Sequence, residues 1–220
     1  MTAIAVLFDM DGVLVDSAAL HLRAYEQVFA EAGIQLSEAA REAVRAGKPR
    51  REVIDIAAPD ASETVKQRLY DAKAEAVAAV IETAKGIAMP GATWATKALT
   101  DAGIPVGVVT NSRTPEIWLE AGGLSEKLTV VVSGNDVGSP KPAPDGFLLA
   151  ADRLGVDPSD CLAFEDSADG WLAATRAGMR VVLVSDTRPS WLPDDAESTT
   201  SLEASASLNR CIAAASKARA

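Results

Sequence analysis

The chain has 220 residues, 48% of them apolar, with 21 basic and 31 acidic side chains and a formal net charge of −10. That length holds one large domain, or a core with a smaller insertion, around a sizeable interior. The negative balance argues against nucleic acid or an anionic membrane as the main partner. Cys161 and Cys211, without Cys-x-x-Cys spacing, and a single histidine disfavour a disulfide scaffold, a zinc cage and any mechanism needing two imidazoles. A reducing, cytoplasmic setting is expected.

The first apolar run, Ile4 to Phe8, is too short to cross a bilayer and lacks the basic start of a secretory signal, so no targeting or membrane segment is expected. It reads instead as a buried strand, ending in Asp9-Met10-Asp11-Gly12. From Ser17 to Ala88 the strand signals stop. Leu20 to Ala32, closed by Gly33, and the alanine-rich stretch Ser62 to Ala84 both read as helix. This segment looks like a helical lid inserted after the first strand, with Gly86 and Pro90-Gly91 marking the return to the core.

Strands are then expected at Val106 to Val109, Thr129 to Val132, Cys161 to Phe164 and Val181 to Val184. Helices at Pro115 to Ala121, Asp145 to Leu154 and Ala168 to Ala177 alternate with them, each stopping near Gly122, Gly155 or Gly178. That alternation predicts a doubly wound, Rossmann-like α/β sheet with parallel strands, which binds ligands at the strands' carboxyl ends. Asp186 to Thr200 reads as loop, and Leu202 to Ala215 as a last helix.

Four strand ends carry chemistry. Asp9 and Asp11 are two carboxylates at the end of a buried strand, costly there without a cation, and Gly12 permits the sharp turn that lets both face one point. Thr110-Asn111-Ser112-Arg113 offers hydroxyls and backbone N–H groups to phosphate oxygens. In Pro140-Lys141-Pro142-Ala143-Pro144, three prolines hold a lysine on a stiff loop. Glu165-Asp166 is a second acidic pair, which with the first suits an oxygen-only magnesium site. Taken singly, each run is compatible with an ordinary turn or helix cap. Together they place matching chemistry on every strand end that the fold would bring to one place.

In order and spacing, Asp9-Met10-Asp11, Thr110, Lys141 and Glu165-Asp166 resemble the four motifs of the haloacid dehalogenase superfamily. The run from Asp9 to Ser17, followed by His21 and Arg23, resembles the β-phosphoglucomutase-like and phosphoglycolate phosphatase-like subgroup more narrowly. So do Lys141 to Asp145 and Glu165-Asp166-Ser167. The resemblance implies a core domain (1–16 and 88–220) with a small all-helical cap domain (17–87) inserted after the first strand. It implies that Asp9 attacks phosphorus to form an aspartyl-phosphate, while Asp11 acts as general acid and then general base. Mg2+ would be held by Asp9, the Asp11 backbone carbonyl and Asp166, with Glu165 close by or acting through water. Thr110 and Lys141 would complete the phosphate cradle. Gly12, Asn111, Ser112 and Arg113 are expected to contact substrate, as are Gly47 and Arg50 of the cap's Gly-x-x-Arg loop, Lys73 and His21. His21 matches a residue that links cap closure to Asp11 in the mutases.

Asp11 disfavours the founding dehalogenase activity, and Arg50, which cannot form an imine, disfavours Schiff-base phosphonate cleavage. The expected activity is Mg2+-dependent hydrolysis of a small phosphate monoester of the sugar phosphate or phosphoglycolate type. The alternative is a β-phosphoglucomutase using the same aspartyl-phosphate; against it, Thr110-Asn111-Ser112 departs from that mutase's Ser-Ala-Ser type. A catalytically silent binding protein is opposed by four intact core positions. The expected partner is a small phosphorylated metabolite, not nucleic acid or membrane, bound by a monomer.

Overall fold

The computed structural model describes residues 5–84 and 86–219, so Ile4, the expected start of the first strand, lies outside them. Among the described residues six strands form one sheet. They are β1 (Ala5–Phe8), β2 (Val106–Val109), β3 (Val130–Val132), β4 (Cys161–Glu165), β5 (Arg180–Val184) and β6 (Glu197–Thr199). The order is β3-β2-β1-β4-β5-β6 and every neighbouring pair is parallel. The expected doubly wound, Rossmann-like α/β architecture is therefore present. The direction of strand progression reverses between β1 and β4, and the crevice outside the carboxyl ends of such a pair is where these sheets bind ligands.

The helices are α1 (Ala18–Glu31), α2 (Glu38–Arg45), α3 (Arg50–Ala57), α4 (Glu63–Thr83), α5 (Ala92–Asp101), α6 (Pro115–Ala121), α7 (Asp145–Leu154), α8 (Ala168–Arg176) and α9 (Ala206–Arg219). The chain divides into two compact units, Met1–Val15 with Ala88–Ala220, and Asp16–Ile87. In the first, β1 and β4 are buried along their whole length, as expected of strands covered on both faces. Small residues on the helices, Ala150 and Ala151 of α7 and Ala173 and Ala174 of α8, join Leu7, Phe147 and Ala163 in one buried cluster. In the second, α1 packs along α4. It buries Leu20, Ala24, Tyr25, Val28 and Phe29, a stripe at helical spacing.

Some elements differ from expectation. The stretch Asp186 to Thr200, expected as loop, contains β6, a polar Glu-Ser-Thr strand paired with β5 alone. A strand with one neighbour needs no apolar run, so its sequence carried no strand signal. α2 and α3 are helices of 8 residues whose signals are mainly local. Ser37 Oγ accepts the Ala40 N–H at 3.2 Å to open α2. α3 begins at Arg50, so that residue stands on a first helical turn rather than on a loop. α6, by contrast, stops at Gly122 as expected, and the left-handed residue follows at Gly123.

Candidate active site

β1 delivers Asp9 to the edge of the sheet. Its N–H donates to the Phe164 carbonyl at 2.9 Å, which ties the position just past β1 to the end of β4. The Phe8 and Phe164 rings stack beneath at 5.2 Å. Past Asp9 the chain turns sharply: Leu14 and Val15 both donate to the Met10 carbonyl, and Gly12 takes a φ of 80°. A Cβ on Gly12 would overlap Asp166 Oδ2, so the absent side chain also leaves room for the second acidic pair.

Lys141 joins the two strand ends. Its Nζ lies 2.5 Å from Asp9 Oδ1 and 2.5 Å from Glu165 Oε1, and it donates to the Val109 carbonyl at 2.7 Å. Burial opposes the ammonium's charge, but Asp9 and Glu165 outweigh it and hold Lys141 above the ordinary lysine range. The Pro-rich loop that carries it is fixed on two sides. Asn111 Oδ1 accepts the Lys141 backbone N–H at 3.0 Å, and Arg176 of α8 donates to the Pro142 carbonyl at 3.0 Å.

Carboxylate oxygens of Asp9, Glu165 and Asp166 all lie within 4.8 Å of one another. Glu165 is fully buried, and burial raises its pKa; Lys141 pulls it down and Asp9 pushes it further up. Asp166 is likewise raised, by lost hydration first and then by Asp9, despite the counter-pull of Lys141, with Asp11 adding to the rise. Three convergent carboxylates with one ammonium among them, two of which, Glu165 and Asp166, resist ionisation, form a donor set suited to a hard divalent cation, which would favour their charged forms. The residues present thus fit the metal that the acidic pairs implied. The Asp11 carboxylate is not in this trio; its expected part was the backbone carbonyl.

Thr110 is buried at the end of β2, where its N–H donates to the Val132 carbonyl at 2.9 Å and its Oγ1 accepts the Ser112 N–H at 3.0 Å. Ser112 Oγ in turn accepts the Thr114 N–H at 3.3 Å. Arg113 is exposed, and its carbonyl accepts from Asn135 Nδ2 at 2.8 Å. Gly134 completes this strut: its N–H donates to the Ser112 carbonyl at 2.8 Å, and a Cβ there would overlap the Asn111 carbonyl oxygen. Sequence reasoning took Asn111 only for a substrate contact and missed Gly134. A glycine after a serine is a weak signal until the neighbouring strand-end loop is seen against it.

In the second unit, Lys73 and His21 meet. Lys73 Nζ is 2.8 Å from His21 Nδ1 and 4.9 Å from the centre of the Tyr25 ring. An ammonium can only donate, so Nδ1 accepts and the imidazole proton sits on Nε2. Burial, then Lys73 and Arg50, depress the His21 pKa to about 3, and the ring is neutral near pH 7. Arg50 lies over the Tyr70 ring at 4.5 Å and donates to the Tyr70 carbonyl at 3.1 Å. Lys48 is paired with Glu52, and Arg51 with Asp55 and Glu63. Gly47, at a φ of 67°, turns the chain between α2 and α3.

Residues 5–178 match the family of haloacid dehalogenase-like hydrolases. The chain belongs to this family. Fructose-1-phosphate phosphatase YqaB of Escherichia coli is 31% identical over 180 residues, covering 80% of this chain and 94% of that protein. The structure of CbbY from Rhodobacter sphaeroides in complex with phosphate superposes with a TM-score of 0.78 at 27% identity, over 94% of this chain and 99% of that one. β-Phosphoglucomutase from Clostridium difficile gives 0.70 at 26% identity, over 84% and 85%. This haloacid dehalogenase-like protein is a phosphoric monoester hydrolase. Among its described residues no helix is long and apolar enough to cross a membrane. Of the candidates, the structure groups Asp9, Lys141, Glu165 and Asp166 in one cluster, with Asn111 holding the Lys141 backbone, and groups His21 with Lys73 in another.

Proposed function

We propose that the protein hydrolyses a small sugar phosphate or related phosphate monoester, with Mg2+, through an aspartyl-phosphate on Asp9. The observation that carries this reading is the buried Lys141 ammonium held at 2.5 Å from both Asp9 and Glu165, with Asp166 in the same cluster. Lys141 orients the Asp9 carboxylate and offsets part of its charge, so that one oxygen can approach phosphorus. Asp9 attacks, the P–O bond to the leaving group breaks, and Asp11 gives that oxygen its proton. Asp11 then takes a proton from water, which attacks the phosphoaspartate and releases phosphate. Asp9, the Asp11 backbone carbonyl, Asp166 and, directly or through water, Glu165 would hold the divalent cation. When bound, the cation supplies charge that offsets repulsion between carboxylate and phosphate. Thr110 and the backbone after it would receive phosphate oxygens.

The cap's Arg50 and Lys73, beside a neutral His21, supply positive charge for a further anionic or polar part of the substrate. Relatives named for fructose 1-phosphate and for a phosphate complex support this substrate class. A mutase reading is supported by the likeness to β-phosphoglucomutase. One screen separates the two. Mg2+-dependent phosphate release from p-nitrophenyl phosphate and a panel of sugar phosphates is the expected result. Bisphosphate-primed conversion of β-glucose 1-phosphate to glucose 6-phosphate, without net phosphate release, would replace it with the mutase, and no turnover on any ester would overturn both.

A further inference from the structure

Gly170 has no backbone reason to be glycine. It is the third residue of α8, its N–H donates to Ser167 Oγ at 3.1 Å, and it is not among the glycines at positive φ. Within a helix glycine costs stability relative to alanine. What distinguishes the position is its neighbour: a Cβ built on Gly170 would overlap both oxygens and the carboxyl carbon of Glu165. Gly12 stands in the same relation to Asp166, but its φ of 80° is an independent reason for glycine there. At Gly170 only the space remains as a reason.

We propose that Gly170 is a positioning residue for the hydrolase chemistry. The missing side chain on the first turn of α8 is the seat of the Glu165 carboxylate, which from there holds Lys141 and keeps the acidic pair aligned for the cation. Glu165 Oε1 bonds Lys141 at 2.5 Å, while Oε2 accepts from Ser167 Oγ at 3.4 Å. The seat lies at a helix N-terminus, where a negative charge is favoured. Because Glu165 is fully buried, a side chain at Gly170 leaves its carboxylate no solvent-facing route of retreat. The displaced group gives up Lys141, which is then left to Asp9, and the convergence of the three carboxylates is lost.

The inference rests on the cation reading of Glu165 and Asp166 above, and the experiment separates the two. Wild type, Gly170→Ala, Glu165→Ala and the double variant are compared by calorimetric Mg2+ titration and by urea denaturation of the metal-free protein. Gly170→Ala is expected to weaken Mg2+ binding about 10- to 100-fold when Glu165 is present. It should have no further effect once Glu165 is alanine. Without metal, Gly170→Ala should lower the urea midpoint in the wild-type background and raise it in the Glu165→Ala background, where the helix simply gains an alanine. Equal effects in the two backgrounds, by either measurement, overturn the proposal. Should Gly170→Ala alone fail to fold, the double variant must fold, and its failure too is an overturning result. A wild-type protein that binds no Mg2+ sinks the cation reading, while the denaturation cycle still decides whether Gly170 seats Glu165.

Discussion

In the first unit three carboxylates, Asp9, Glu165 and Asp166, gather about one buried ammonium, Lys141. In the second, Lys73 and Arg50 stand with a neutral His21 and two tyrosine rings. Burial acts on both groups in the same way, by disfavouring charge, but with opposite consequences. It raises the pKa of Glu165 and Asp166 and lowers that of His21. Carboxylates outnumber the ammonium in the first cluster, and the cations Lys73 and Arg50 lie together in the second. On the function proposed above, a divalent cation would answer the first and an anionic part of the substrate the second, which is how a chain of net charge −10 would bind a phosphate ester.

The sharpest way to break this contrast is at Asp9. Asp9→Asn should lower phosphate release by at least about 10⁴-fold, since it removes the attacking oxygen while keeping the side-chain shape. Activity within tenfold of wild type would mean that the first unit does not carry the chemistry. Lys141→Met should reduce kcat by about 10²- to 10³-fold. It should also destabilise the protein by about 3–5 kcal/mol, because it leaves buried carboxylates without their counter-charge. Urea denaturation should show that loss shrinking from pH 8 to pH 5, as the orphaned carboxyl groups take up protons.

Asp166→Asn should separate function from stability. Loss of a cation ligand is expected to raise the Mg2+ requirement about 10- to 100-fold, while relief of repulsion stabilises the metal-free protein by about 1 kcal/mol. A variant that is less stable without metal would contradict the charge surplus assigned to the first unit.

The second unit should show the reverse pH behaviour. The folded-state pKa of His21 lies below its unfolded value, so the unfolded chain binds more protons between pH 6.5 and about 3, and stability falls as pH falls through that window. Between pH 6 and pH 4 this should remove about 2 kcal/mol in wild type that His21→Asn does not lose. Parallel acid limbs for the two proteins would show that His21 is not held neutral. The smallest effect is expected at Arg50 of the second unit. Arg50→Ala should raise KM about tenfold for a sugar phosphate that carries a further anionic group. It should leave kcat, and KM for p-nitrophenyl phosphate, nearly unchanged.

Much of the fold was legible because parallel, buried strands and their helices are written in local runs. Val106–Val109, Pro115–Ala121 and Asp145–Leu154 fall where periodicity and helix stops put them. β6 was not legible, since an edge strand with one partner has no need of an apolar code. Arg50 was expected on a loop, and its place on α3 depends on where that helix starts rather than on its own residue type.

For the site, residue types and strand-end positions singled out Asp9, Asp11, Thr110, Lys141, Glu165 and Asp166, because carboxylates at buried strand ends demand a counter-charge and so are conspicuous. What chain order could not contain is which atoms meet. Lys141 reaches Asp9 across 132 residues and Glu165 across 24. Asn111 turned out to hold the Lys141 backbone, and Gly170 to leave room for a carboxylate. Patterns of burial and turning arise from neighbours along the chain and can be read there. Contacts between strand ends arise from packing of the sheet, where an absent side chain matters as much as a present one, and only the tertiary structure decides them.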